Sequence, residues 1–183
     1  MNAQPEQPVP PKRRRLPRWL RWSLDIALIV GVFLIVRAWM SPAVSEGPAP
    51  PLSGLDLQGA PVSLSEYRGA PLLVVFWAEW CRICRLEMPM IRRVAEDWPV
   101  LTVAMQSGDQ GTVRRFVAES GWEDLRVLND PDASQARQWG VKGVPVMYVL
   151  DGAGQIRFVE TGLTTSWGLR ARLWWAARHS SAE

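Results

Sequence analysis

Cysteine and histidine are scarce in this sequence, which has two cysteines and a single histidine, His179, among 183 residues. A secreted scaffold held together by disulfides needs more cysteines at wider spacing. A structural zinc site needs four ligands, normally from Cys and His, and these three residues cannot supply them. The two cysteines, Cys81 and Cys84, form an isolated pair, which favours a redox couple over two unrelated and inert thiols.

A basic patch is also missing from most of the chain. Residues 1–40 contain seven Lys and Arg against two acidic residues, so residues 41–183 carry a net charge of −2. The formal net charge of +3 therefore comes from the beginning of the chain. A domain that binds nucleic acid normally presents a basic face, so we do not expect nucleic acid among the partners.

No long uninterrupted apolar run is present. The segment Trp22–Met40 is apolar apart from Asp25 and Arg37, which leaves eleven uninterrupted residues at 26–36, whereas a membrane span needs about 20. Basic residues before the run and tryptophans at its ends are nevertheless typical of an anchor whose N-terminus stays in the cytoplasm. A signal peptide cleaved near 43–45 and an amphipathic core helix are the alternatives. No cysteine lies near residue 40, which excludes a lipoprotein anchor.

Composition divides the chain into four segments. We expect a disordered basic tail over 1–18, a transmembrane signal anchor over 19–40, a stiff Pro-rich tether over 41–52 and one folded domain over 53–179. Positive charges before the anchor predict that the folded domain lies on the side of the membrane opposite the cytoplasm.

Strand and helix patterns alternate through the folded domain. Continuous apolar runs predict strands buried on both faces at 72–77 and 100–105. Shorter strands are predicted near 61–64, 125–128, 146–150 and 156–160, with a hairpin turn at 151–154 between the last two. Helices are predicted over 81–97, 111–119, 131–139 and 165–178. This order predicts an α/β fold with a central mixed sheet and helices on both faces.

Cys81 and Cys84 lie where a predicted buried strand passes into a predicted helix. Cysteines three residues apart on a first helical turn can close a small ring without moving the backbone. The free N–H groups and partial positive charge of a helix N-terminus favour a thiolate at the first of them. We therefore expect Cys81 to be an exposed nucleophile with a pKa below the ~8.5 of a free thiol. Cys84 is then the shielded resolving cysteine of a Cys81–Cys84 disulfide.

The stretch Trp-Ala-Glu-Trp-Cys-Arg-Ile-Cys at 77–84 resembles the active-site motif of the thioredoxin superfamily. Pro89 matches the family's helix-kinking proline, and Gly143-Val144-Pro145 matches its cis-proline loop. The segment 84–89 looks like the Cys-x-x-Glu-x-Pro of the TlpA/DsbE-like branch, and parts of 161–175 are similar to its ScsD-type members. The resemblance covers roughly residues 52–178. It implies a thioredoxin-like fold and a membrane-anchored protein-disulfide oxidoreductase that needs no cofactor.

The resemblance also implies roles for residues beside the cysteines. In the family the cis-proline loop lies against the redox pair, which assigns Pro145 to the catalytic site. The residue before that proline pairs with the substrate backbone, which assigns Val144 to substrate binding. Trp80 and Arg82, on either side of Cys81, are further expected substrate contacts.

One departure from thioredoxin concerns the buried acid. Thioredoxin carries a buried Asp two residues before the first Trp of its motif, and this chain has Val75 there. The TlpA-like branch has an acid at the position of Glu87, so Glu87 is expected to take over as catalytic proton acceptor. A solvated helix glutamate is the alternative.

The predicted reaction is disulfide exchange with cysteines of partner proteins in the periplasm. Arg82 favours a more oxidising pair and Glu79 and Glu87 oppose it, so these residues do not fix the direction. Family analogy implies a reductase or a partner-specific exchanger that draws on a transmembrane electron donor. The alternative is a copper(I)-binding or delivery protein that uses the same two thiolates, whereas the leading interpretation needs no metal. A non-catalytic docking module that keeps the fold is a third possibility.

Overall fold

The computed structural model describes residues 18–40 and 47–180, which form two units that separate near residue 40. Helix α1 (Arg18–Met40) makes up the first unit. Within the described ranges, no helix combines the length and the apolar character needed to cross a membrane. The predicted segment 19–40 is therefore helical, but its predicted spanning character is not found, and Asp25 and Arg37 interrupt its apolar run. Residues 1–17 of the predicted tail and 41–46 of the predicted tether lie outside the described residues.

The second unit contains eight strands and four helices in the order the sequence predicts, with two strands added near its start. The strands are β1 (Gly47–Pro48), β2 (Ser53–Leu55), β3 (Pro61–Ser63), β4 (Leu72–Trp77), β5 (Val100–Met105), β6 (Arg126–Asp130), β7 (Val146–Leu150) and β8 (Gln155–Thr161). The helices are α2 (Arg82–Ala95), α3 (Gln110–Ser120), α4 (Ser134–Gln138) and α5 (Ser166–Arg178), and a 3-10 turn spans Leu64–Tyr67.

Six of the strands form one mixed sheet in the order β1-β8-β7-β4-β5-β6. Strands β4, β5 and β6 are parallel, whereas β7 pairs antiparallel with both β4 and β8. Strands β2 and β3 form a separate hairpin. The predicted thioredoxin-like α/β fold with a central mixed sheet is confirmed.

Strand β4 lies at the centre of the sheet and is buried along its whole length. Successive side chains of a strand point to opposite faces, so Phe76 and Trp77 pack into different layers. Trp77 stacks on Phe116 of α3, with ring centroids 5.7 Å apart. Phe76 packs on the other side against Trp139 and Tyr148, at 5.5 and 5.8 Å. Both faces of β4 are therefore covered, as its uninterrupted apolar sequence predicts.

Helix α4 is shorter than the predicted helix at 131–139. The carboxylate of Asp130 is buried and accepts the backbone N–H groups of Gln135 and Ala136 at 3.1 and 2.9 Å. These bonds satisfy free donors of the first turn, so the helix starts at Ser134. Residues 131–133 form the turn that leads into it.

The folded domain begins earlier than the sequence predicts. Residues 47–52 were expected in the tether, but Gly47 and Pro48 pair with β8 as strand β1. The N–H of Ala49 donates to the carbonyl of Gly154 at 3.0 Å, and Leu52 is only 2% exposed. A proline-rich segment can still form a two-residue edge strand, because an edge strand uses few of its own N–H groups.

We expect Leu52→Ala to lower the free energy of unfolding by about 2–5 kcal/mol, because it removes a buried side chain and leaves a cavity. Leu55→Ala is the matched control, since Leu55 is 57% exposed and exposed substitutions cost less than about 0.5 kcal/mol. Urea unfolding followed by tryptophan fluorescence measures both. Equal effects of the two variants would mean that residues 47–52 are a tether after all.

Candidate active site

Cys81 and Cys84 form a disulfide at the start of α2, with their Cα atoms 5.3 Å apart. Cys81 is the N-cap residue of the helix, and its Sγ accepts the backbone N–H of Cys84 at 3.1 Å. Free N–H groups at a helix start attract negative charge. Once the disulfide is reduced, the same N–H is positioned to stabilise a thiolate on Cys81.

The two sulfur-bearing residues differ in exposure, but less than the sequence predicts. Cys81 is 6% exposed and Cys84 is 1% exposed. The expected exposed nucleophile is thus mostly covered in the oxidised protein. The carbonyl oxygen of Val144 lies 3.6 Å from the Sγ of Cys81 and contributes to this cover. Cys81 is nevertheless the more exposed of the two residues.

The Val144–Pro145 peptide bond is cis, and Pro145 is buried beside the redox pair. The carbonyl of Pro145 accepts the N–H of Gly162 at 3.0 Å. This bond joins the loop before β7 to the connection between β8 and α5, so two distant parts of the sequence meet at the disulfide.

Glu87 lies one helical turn after Cys84 and points into the protein, where it is almost completely buried. Both carboxylate oxygens accept the backbone N–H of Thr164, at 3.2 and 3.1 Å. Burial raises the pKa of Glu87, and the bond from Thr164 opposes part of that rise. The alternative of a solvated helix glutamate is therefore excluded.

Cys84, Glu87 and Pro145 line the same small cavity, which has no room for a water molecule. Its remaining walls are apolar and include Val75, at the position where thioredoxin carries an acid. Apart from Cys84, Glu87 is the only ionisable residue that lines the cavity. The structure thus brings three of the four predicted catalytic residues, Cys84, Glu87 and Pro145, together around one cavity, and the disulfide joins Cys81 to them.

Of the expected substrate contacts, Trp80 and Arg82 are exposed and Val144 is half-buried. The indole N–H of Trp80 donates to the carbonyl of Gln106 at 3.1 Å. Gln106 has a positive φ of 47°, which is uncommon for a residue other than glycine. Sequence reasoning missed both Gln106 and Thr164, because each contributes only a backbone group.

In the described part of the chain, no group of three or more His, Cys, Asp or Glu side chains is placed to hold a metal ion. His179 stacks on Trp175, with ring centroids 4.0 Å apart, at the end of α5. The alternative of a copper(I) site would draw on the sulfurs of Cys81 and Cys84, which are joined as a disulfide in this structure.

A redox-active sulfur pair in this setting, on a thioredoxin-like sheet, defines a thiol–disulfide oxidoreductase of the thioredoxin superfamily. Comparison with known proteins agrees with that class. The chain belongs to the AhpC/TSA family, whose model matches residues 46–159.

Individual relatives place it near the TlpA/DsbE-like branch, as its motifs suggested. A thioredoxin-like protein of Haemophilus influenzae is 35% identical over 123 residues, which cover 66% of this chain and 72% of that protein. The thiol:disulfide interchange protein DsbE of Pseudomonas aeruginosa is 31% identical over 149 residues, covering 76% and 82%. The solution structure of a putative thioredoxin from Neisseria meningitidis superposes with a TM-score of 0.65 at 30% identity, covering 74% and 93%.

The burial of Glu87 predicts a pH-dependent cost to stability. Its pKa in the folded protein is raised above the ordinary value of 4.5, so wild-type stability falls as pH rises through the folded-state pKa. Glu87→Gln removes that cost and keeps an oxygen for Thr164. We expect the variant to unfold at the same denaturant concentration as wild type well below pH 4.5, and at a higher one at pH 7–8.

Urea unfolding of the oxidised proteins across this pH range tests the prediction. Glu119→Gln, at an exposed position of α3, is the control and should leave the midpoint unchanged relative to wild type at every pH. A Glu87→Gln effect that does not vary with pH would contradict the desolvation argument.

Proposed function

We propose that this chain reduces disulfides in partner proteins, with Cys81 as nucleophile, Cys84 as resolving cysteine and Glu87 as proton acceptor. The observation that carries the proposal is the asymmetry of the pair. One sulfur lies at the mouth of the site with a backbone N–H aimed at it, and the other lies over a dry cavity beside a buried acid. Relatives named as thiol:disulfide interchange proteins support the reaction class.

The first step is attack by the Cys81 thiolate on one sulfur of the partner's disulfide. The partner's S–S bond breaks, a mixed disulfide forms with Cys81, and the second partner sulfur leaves as a thiolate. The N–H of Cys84 stabilises the attacking charge before the bond forms. Substrate reaches Cys81 past Val144, and Trp80 and Arg82 lie exposed at the same opening.

The second step frees the partner. Cys84 loses its proton and attacks the Sγ of Cys81, and the partner's first sulfur leaves as a thiolate, so two electrons have passed to the partner and the chain is oxidised. Glu87 lines the cavity beside Cys84 and takes its proton. The raised pKa of Glu87 suits it to that role, because a weaker acid is a better proton acceptor. A transmembrane electron donor then restores the dithiol.

Mixed-disulfide trapping tests this order of events. Cys84→Ser should accumulate a disulfide-linked complex between Cys81 and the partner, because the second step has no nucleophile. Cys81→Ser should fall to the uncatalysed rate and form no complex. Non-reducing gels and mass spectrometry of the linked peptide measure both. A complex linked through Cys84 in the Cys81→Ser variant would reverse the assignment.

The role of Glu87 has a separate kinetic signature. Glu87→Gln should slow the second step by about 10²–10⁴-fold, the usual loss on removing a general base, and leave the first step unchanged. Stopped-flow kinetics with a partner peptide should then show rapid formation and slow decay of the mixed disulfide. Equal slowing of both steps would assign Glu87 a structural role only.

We further propose that residues 1–46 direct the catalytic domain to the periplasm and hold it at the inner membrane. Basic residues precede α1, and Leu28, Ile29 and Phe33 of that helix are exposed. Residues 41–46 then serve as the tether. Such an arrangement would keep the dithiol close to a membrane-bound electron donor.

Cell fractionation tests the location. The full chain should remain with the inner membrane after a carbonate wash, and protease added to spheroplasts should digest the catalytic domain. A variant in which Leu28, Ile29 and Phe33 are all replaced by Ser should lose membrane retention. Recovery of the intact full chain in the cytoplasmic fraction would overturn the proposed location.

A further inference from the structure

The last helix, α5, buries one side and exposes the opposite one. Its core side is formed by the buried side chains of Leu169, Leu173 and Ala176. An α-helix turns by about 100° per residue, so residues three, four, seven or eleven apart share a face. The face opposite the core carries Trp167, Ala171, Trp174 and Arg178, and all four are exposed. We call these four residues the outer stripe of α5.

Tryptophan replaces charge along most of the outer stripe. Trp167 is 80% exposed and Trp174 is 49% exposed. The guanidinium carbon of Arg178 lies 3.8 Å from the centroid of the Trp174 ring, so the cation of the stripe is stacked on an aromatic face. A helix face that meets only water normally carries charged and polar side chains. Two large exposed rings on one face therefore mark a surface of contact.

The charge of α5 is positive, because the helix contains three Arg and no Asp or Glu. Arg170 pairs with Asp97 of a neighbouring segment at 2.7 Å. Arg172 pairs with Glu160 of β8 at 2.6 Å. Arg178 contributes its charge to the outer stripe itself. Tryptophan prefers the headgroup region of a bilayer, and Arg is attracted to anionic lipid there, so the composition of the stripe suits a membrane surface.

The chain enters the folded domain beside the end of α5, and the turn between β7 and β8 joins the two segments. The N–H of Ala49 donates to the carbonyl of Gly154 in that turn at 3.0 Å. The N–H of Gly152 in the same turn donates to the Oγ of Ser180 at 3.0 Å. Ser180 follows the outer stripe by two residues, so the stripe ends close to the point where the tether is attached.

The end of the domain nearest the tether is also positively charged. Arg68 adds a cation at the turn, where its guanidinium donates to the carbonyl of Ala153. The carboxylate of Asp151, in the same turn, is fully buried and pairs with Arg157. The tether itself has six residues, 41–46, and six residues reach at most about 22 Å when fully extended. A membrane that holds the tether is therefore close to this basic end.

We propose that the outer stripe of α5 rests on the anionic phospholipid surface of the membrane that holds the chain. The inference rests on the proposed function, which assigns residues 1–46 to membrane anchoring. The two tryptophan rings enter the headgroup region, and Arg178 pairs with lipid phosphate. Helix α5 begins two residues after Thr164, which bonds to Glu87, so this contact brings the redox site towards the bilayer and a membrane-bound electron donor.

Hydroxyl-radical footprinting of the full-length protein tests the proposal. The protein is reconstituted in vesicles of phosphatidylcholine, with or without phosphatidylglycerol, and mass spectrometry measures the oxidation of each tryptophan. Trp167 and Trp174 should oxidise about fivefold more slowly in the anionic vesicles, the factor expected for one Arg at an anionic surface. Trp80, which is 60% exposed just before α2, is the internal control and should oxidise at the same rate in both.

Charge reversal supplies the matched variants. Arg178→Glu should abolish the difference between the two kinds of vesicle at Trp167, which lies three helical turns from residue 178. Arg115→Glu makes the same change of charge at an exposed position of α3 and should keep the full difference. A difference that survives in Arg178→Glu, or that disappears equally in Arg115→Glu, would overturn the proposal.

Flotation of the same samples separates this proposal from the one on which it rests. A chain that floats with neither kind of vesicle would overturn both the membrane anchoring and the stripe contact. A chain that floats with both, with equal oxidation of Trp167 and Trp174 in the two lipids, would overturn the stripe contact alone. Slower oxidation of these two residues in detergent as the protein concentration rises would assign the stripe to a second copy of this chain, which also contradicts the lipid contact.

Discussion

Cys81 lies between two backbone groups, the N–H of Cys84 at 3.1 Å and the carbonyl of Val144 at 3.6 Å. The first belongs to the start of α2 and the second to the cis-proline loop, so the reactive sulfur is positioned where two separate elements meet. A helix N-terminus favours a negative sulfur, and the loop restricts the direction from which a partner can approach. The chemistry proposed for the chain depends on both groups staying in place.

The buried acid extends that junction to a third element. Glu87 is held by the N–H of Thr164, and Pro145 by the N–H of Gly162, so one short connection fixes both the acid and the loop. Glu87 is the one carboxylate that lines the cavity beside Cys84. Glu87 and the Pro145 loop are therefore held by the same backbone segment.

Local sequence patterns predicted much of this arrangement. The apolar run at 72–77 gave the bounds of β4, and the spacing of the cysteines gave their pairing. Both signals are local. A strand buried on two faces shows a continuous apolar run, and the geometry of a first helical turn involves only neighbouring residues. The role of Glu87 was predicted from a motif, but its hydrogen-bond partner was not, since Thr164 lies 77 residues away.

Contacts made by backbone groups account for most of what the sequence did not reveal. The carbonyl of Gln106, which accepts the indole N–H of Trp80, cannot be recognised in the sequence because every residue has a backbone carbonyl. The start of α4 depends on Asp130, which lies outside the helix. Strand β1 was not predicted because a proline-rich composition is typical of a linker. Its two residues are also too few to show the alternation of buried and exposed side chains that indicates a strand.

The first residues of the folded domain pair with strands near both edges of the sheet. Strand β1 covers the outer side of β8, and a few residues later Asp56 bridges to Leu128 while the N–H of Leu57 donates to Val127 of β6. Unpaired sheet edges invite other chains to add to them. Residues 47–57 are synthesised before β6 and β8, the strands with which they pair. A nascent chain that emerges N-terminus first therefore carries the backbone groups of residues 47–48 without their partner strand until β8, the last strand, has been made.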